Sequence, residues 1–148
     1  MSGKGKTLRL FKYSDKFQTF RHGDVIFTEG ESGKIMYVVK SGSVELSTNG
    51  VVVETVETGD ILGEMALLDN HCRSATATAL TDCQIVPIDM DYFSYLVRQT
   101  PNFALEVMQV MSARLRRMDL QKEVLRRNEN QGDVIQSVKK SDKSLELS

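Results

Sequence analysis

GEMALLDNHCRSATATA, residues Gly63 to Ala79, is the stretch that decides the fold. A glycine here ends a strand, a single helical turn follows from Glu64 to Asp69, and Arg73 opens the next strand. Ala75, Ala77 and Ala79 alternate with Thr76 and Thr78, which puts a row of methyl groups on one strand face and leaves space inside a barrel.

Upstream, from Phe17 to Ile88, short apolar or alternating runs are separated by turn residues: FQTF, VIF, IMYVVK, VELS and VVVETV before the stretch, QIVPI after it. Asn49-Gly50 suits a tight hairpin, because both residues tolerate positive φ. Turns at this density predict an all-β sandwich or jelly roll. Before it, 1–16 reads as a basic segment, with a short amphipathic helix over Leu8 to Asp15.

After Pro87 the period changes. Asp89 to Arg98 predicts a short helix, and Pro101 suits the first turn of a long one. In that long helix Ala104, Met108, Met111, Leu115, Met118 and Leu125 recur at spacings of four and three, interrupted at Lys122. A helix of about 28 residues reaches about 42 Å, farther than a small domain can cover, so the seam predicts a homodimer through 104–125 rather than packing on its own domain. From 129 to 148 the sequence turns polar and aperiodic and reads as a disordered tail. The domain boundaries expected are therefore 1–16, 17–128 and 129–148.

A chain of 148 residues, 41% hydrophobic, holds one core. Nineteen basic and 20 acidic residues leave a net charge of -1, which supplies no global field for nucleic acid. Cys72 and Cys83 form no CxxC, and no apolar run approaches the ~20 residues that span a bilayer. The expectation is a soluble, cytoplasmic protein. His22 and His71 are the only histidines and lie far apart in sequence, which argues against a metal-dependent jelly-roll enzyme. Gly5-Lys6-Thr7 and Gly33-Lys34 are fragments of a P-loop pattern without its context and are set aside. The basic run Arg114, Arg116, Arg117, Lys122, Arg126 and Arg127 is read as a solvated face. The residues after it are too few and too polar for a helix-turn-helix, so no direct DNA binding is expected.

The chemistry concentrates between Gly63 and Ser74. The start of a short helix exposes unpaired N–H groups, here those near Met65 and Ala66, and Gly63 lets an anion approach them. Arg73 offers two parallel N–H donors to a pair of anionic oxygens, and Ser74 adds a hydroxyl. A carboxylate beside a phosphate repels it, so Glu64 makes sense when it accepts from a neutral hydroxyl.

GEMALLDNHCRSATATA, with its spacing from Glu64 to Arg73, resembles the phosphate-binding cassette of the cyclic-nucleotide-binding domain family, and GDVIFTEGESGKIMYVVKSGSVEL resembles the strands that precede it there. The resemblance covers about Phe17 to Leu125. It implies a mainly β fold with flanking helices, an eight-stranded jelly-roll β-barrel followed by a long C-terminal helix. It also implies Arg73 on the cyclic phosphate, Glu64 on the ribose 2′-OH, the backbone of Gly63, Met65 and Ala66 around the phosphate, and Ser74 assisting. No catalytic residue, metal or cofactor is implied; the ligand is cAMP or cGMP. Leu62 stands where the cassette often has an aromatic residue.

In the family the long helix covers the purine, which here offers Met111, Arg114, Leu115 and Met118 as a base lid. Aligned from Pro101, a Thr-Ser pair that contacts adenine in one branch of the family is replaced by Met118 and Asp119, while Ser74 can hydrogen-bond a syn guanine. cAMP is placed ahead of cGMP. The function expected is a stand-alone sensor whose cassette and helix switch to regulate an unknown downstream protein. The alternatives are a nucleotide-unresponsive dimeric scaffold and a regulatory fragment of a larger kinase, channel or transcription factor.

Overall fold

The computed structural model describes Leu10, Phe11 and residues 14–147, with side chains through Asn130. Eight strands are present among these residues: β1 (Gln18–Phe20), β2 (Val25–Phe27), β3 (Met36–Ser41), β4 (Val44–Thr48), β5 (Val51–Val56), β6 (Ile61–Leu62), β7 (Thr76–Ala79) and β8 (Cys83–Ile88). They form two four-stranded sheets, ordered β1-β8-β3-β6 and β2-β7-β4-β5, and every pairing is antiparallel. The closed barrel expected from the sequence is replaced by two sheets, with no ladder joining them among the described residues. The β4–β5 connection is the predicted hairpin: Asn49 and Gly50 have φ of 53° and 78°, and Thr48 faces Val51.

Strand alternation sorts the core into two layers. Along β8, Cys83 and Ile85 join Phe27, Val39, Val44, Leu46, Val56, Leu62, Ala75 and the two alanines of β7 in one cluster. The other face of the same strand, Val86 and Ile88, joins Met36, Val38, Ile61, Leu96, Phe103 and Val107 in a second. β3 divides the same way, with Val39 in the first cluster and Met36 and Val38 in the second. Ile85 and Ile88 are fully buried on opposite faces, and each contributes about 1.5–3 kcal/mol.

Three helices whose full extent lies among the described residues accompany the sheets: α1 (Glu64–Leu68), α2 (Met90–Gln99) and α3 (Asn102–Leu147). The Asp89 carboxylate caps α2 by accepting from the Tyr92 N–H at 2.8 Å. α2 stops before Pro101, whose ring disfavours a helical predecessor. Of the expected helix over Leu8 to Asp15, Leu10 and Phe11 are helical; Leu8, Arg9, Lys12 and Tyr13 lie outside the described residues, as does 1–7.

The chain divides into two compact units, Met1–Met111 and Ser112–Ser148, and each is described by itself. In the first, α3 buries Phe103 and Val107, with Val110 and Met111 partly buried against the second cluster. This stripe is offset from the predicted seam, whose Met108 is 54% exposed. In the second, Leu115 and Leu125 are exposed. α3 is helical through Leu147, whereas the loss of periodicity predicted disorder from 129. The stretch contains no proline, the residue that most strongly breaks a helix.

Candidate functional site

Gly63 ends β6 and caps α1 with φ of 77°, a left-handed conformation that an L side chain resists. It has no side chain to cap the helix, so the first-turn N–H groups, Met65 and Ala66 among them, receive no side-chain cap. Glu64, Met65, Ala66 and Leu67 are all buried. Leu67 belongs to the second cluster, together with Leu96, Phe103 and Val107, so α1 connects the cassette to the helical layer.

Burial alternates from Arg73 onward: Arg73, Ala75, Ala77 and Ala79 are buried and Ser74, Thr76 and Thr78 are partly exposed. The guanidinium thus heads a row of alanines, whose small side chains leave it room. Its backbone is fixed on both sides, because Gly30 N–H donates to the Arg73 carbonyl and Arg73 N–H donates to the Glu31 carbonyl, each at 2.8 Å. Two further bonds hold the surroundings: Thr48 Oγ1 donates to the Ser74 carbonyl at 3.2 Å, and Glu29 N–H donates to Thr76 Oγ1 at 3.0 Å.

Three walls bound the guanidinium. Arg73 Cζ lies 4.2 Å from the centre of the Phe27 ring and 5.8 Å from that of Tyr37. A methyl placed on Gly33 would sit 2.5 Å from Nη2, 2.6 Å from Nε and 2.7 Å from Cζ. One on Gly63 would sit 2.6 Å from Nη1 and 3.2 Å from the Ile35 carbonyl. Nη1 donates one long hydrogen bond, 3.3 Å, to the Gly63 carbonyl.

Arg73 is only 7% exposed and Glu64 only 2%, so an exposed surface ion pair between them is excluded. Burial pulls the Arg73 pKa down; Tyr37, Glu31 and Glu64 pull it back up, and the group stays cationic at neutral pH. A desolvated cation beside uncapped backbone donors is an arrangement that an anion completes.

Gly63, Glu64, Met65, Ala66 and Arg73 are thus brought together. Ser74 follows Arg73 but belongs to the alternate, partly exposed row. Of the expected base lid, Met111 packs in the first unit, whereas Arg114, Leu115 and Met118 belong to the second. Sequence reasoning missed Gly33 and Phe27. In the sequence Gly33 reads as a turn glycine and as part of a P-loop fragment, and nothing local marks Phe27 as more than a core residue. Among the described residues no group of three or more His, Cys, Asp or Glu could hold a metal, and no helix is long and apolar enough to cross a membrane.

A model of the cyclic nucleotide-binding domain matches residues 17–100. The chain is 31% identical over 111 residues to the cyclic AMP receptor protein of Thermus thermophilus, covering 72% of this chain and 51% of that one. It is 38% identical over 77 residues to a cGMP-dependent protein kinase of Drosophila melanogaster, covering 52% of this chain and 7% of the kinase. The crystal structure of Thermus thermophilus catabolite activator protein aligns with a TM-score of 0.64 at 30% identity, over 81% of this chain and 59% of that one. The chain therefore spans about half of one curated relative and a small fraction of the other. With more than half of its length matched by that model, the chain belongs to the cyclic nucleotide-binding domain family.

Proposed function

We propose that this chain is a non-catalytic, cytoplasmic sensor of a cyclic nucleotide, cAMP ahead of cGMP, that acts by switching its cassette and long helix against a partner protein. The observation that carries this reading is the Arg73 guanidinium, desolvated yet held among the described residues by a single long hydrogen bond, beside the uncapped start of α1. Arg73 takes the cyclic phosphate through its paired N–H donors, and the backbone of Met65 and Ala66 adds two more. Glu64 accepts from the ribose 2′-OH, and Ser74 assists. The relatives are named for both nucleotides.

The proposed switch starts with phosphate drawing α1 inward. Leu67 and Leu68 lie in or against the cluster that contains Leu96, Phe103 and Val107, so a shift of α1 perturbs the packing under α2 and the start of α3. The ligand biases this equilibrium only by its differential affinity for the two states. Base selection is assigned to Met111, Arg114, Leu115 and Met118. The two-sheet strand order is read as a jelly roll, and self-association is assigned to the exposed residues of α3, with Met108 and Leu115 as its centre. Buried Glu64 and Arg73 speak against a scaffold indifferent to nucleotide.

Calorimetric titration with cAMP, cGMP and 5′-AMP tests the proposal. Saturable binding of a cyclic nucleotide, absent with 5′-AMP and lost in Arg73→Ala, is expected. No heat with either cyclic nucleotide would sink the sensor reading.

A further inference from the structure

We infer that Phe27 is a positioning residue whose ring face holds the Arg73 guanidinium in its anion-binding attitude; this rests on the nucleotide-sensor reading above. Phe27 is a buried member of the first core cluster, and its ring stacks on Tyr37 with centroids 6.0 Å apart and planes 22° apart. Arg73 Cζ sits 4.2 Å from that ring's centre. The contact is built into the sheet: Phe27 pairs with Ala77 across β2 and β7, four residues after Arg73. The backbone bonds from Gly30 to Arg73 and from Arg73 to Glu31 tie the arginine to the turn that follows β2.

The physical need is specific. A cation taken out of water requires compensation, and a carboxylate would supply it by consuming the N–H fork and cancelling the charge that an anion must meet. An aromatic face attracts the guanidinium through the ring quadrupole and takes none of its donors. The one hydrogen bond to Gly63, at 3.3 Å, is too long to fix the side chain's direction by itself. Gly33, which offers no side chain toward Nη2 and Nε, leaves space for the guanidinium to settle on the ring. A leucine of similar bulk would fill the core at 27 without this attraction.

The test replaces Phe27 in the full chain by 4-fluoro-, 3,5-difluoro- and 3,4,5-trifluorophenylalanine, which weakens the ring quadrupole in steps at nearly constant shape. The dissociation constant for cAMP is expected to rise in the same steps, to about fivefold for the trifluoro ring, with little change in melting temperature. In an Arg73→Ala background any residual affinity should not respond to fluorination. Hydrogen exchange of the Arg73 Nε–H in the ligand-free protein should accelerate along the series, and this needs no nucleotide. A flat series by both binding and exchange would overturn the role of Phe27. Absence of cAMP and cGMP binding in the unmodified chain, with the exchange series intact, would instead overturn the nucleotide reading and leave the positioning contact standing.

Discussion

Replacing Gly33, Gly50 and Gly63 by alanine, one at a time, separates two roles that glycine plays in this chain. At Gly50 φ is 78° and a methyl would meet nothing within 4 Å, so Gly50→Ala carries only the cost of a left-handed residue, about 1–2 kcal/mol. For a chain of this size that lowers the melting temperature by roughly 3–6 °C, and nucleotide affinity should not change. Gly33 is the reverse case. It has no left-handed φ, and a methyl there would lie 2.5 Å from Arg73 Nη2, when ordinary contact begins at 3.4 Å. The flexible guanidinium must retreat by nearly an ångström, which spares the fold and spoils the fork. Losing one charge-assisted hydrogen bond costs about 1.5–3 kcal/mol, a rise of about 10- to 150-fold in the dissociation constant. Gly63 has both problems, because φ is 77° and the methyl meets the fixed Ile35 carbonyl as well as Nη1, so Gly63→Ala should lose stability and affinity together. Calorimetric titration and thermal melting on the three variants read the two quantities. Wild-type affinity in Gly33→Ala, or lost affinity in Gly50→Ala, would refute the reasoning.

Other outcomes follow from the same structure. Asp89→Ala removes the cap on α2 and should cost about 1 kcal/mol in chemical denaturation without altering nucleotide affinity. Burial, then Asp82 and Asp24, push the Cys83 thiol up from its ordinary 9.0. The native state therefore keeps a proton that the unfolded chain loses, so Cys83 contributes stability below pH 9 that is lost as pH rises through its folded pKa, and Cys83→Ala should flatten that alkaline slope. At neutral pH a thiol reagent should label exposed Cys72 rapidly and buried Cys83 only on unfolding; two fast thiols would contradict the packing. Light scattering should give twice the chain mass, and Met108→Lys with Leu115→Lys should reduce it; a monomer at every concentration would rule out self-association through α3.

The β-rich core was legible because its strands are short, alternating and separated by turns. ATATAL and QIVPI announced β7 and β8 almost to the residue, and Asn49-Gly50 announced its hairpin. The division into two separate sheets was not, because strand pairing between distant segments leaves no mark on local periodicity. Along α3 the four-and-three spacing was real, but one helix carries two overlapping apolar stripes. Periodicity could not say that Phe103 and Val107 would be buried while Met108 faced outward. The candidate site was legible in Glu64 and Arg73, whose chemistry and spacing are specific. Gly33 was missed because its φ is ordinary, so turn chemistry gives no signal; its role lies in what a side chain would strike. Phe27 was missed because a phenylalanine in a strand reads as core, and only the fold places Arg73 above it.

The most direct test of the central claim is to add cAMP and then cGMP to 15N-labelled protein and follow the Arg73 Nε–H with the backbone N–H groups of Met65 and Ala66. These three signals are expected to move farthest, saturate together with one nucleotide or both, and lose the response in Arg73→Ala. Binding that leaves the Arg73 Nε–H unmoved, or no response to either nucleotide, would contradict that claim.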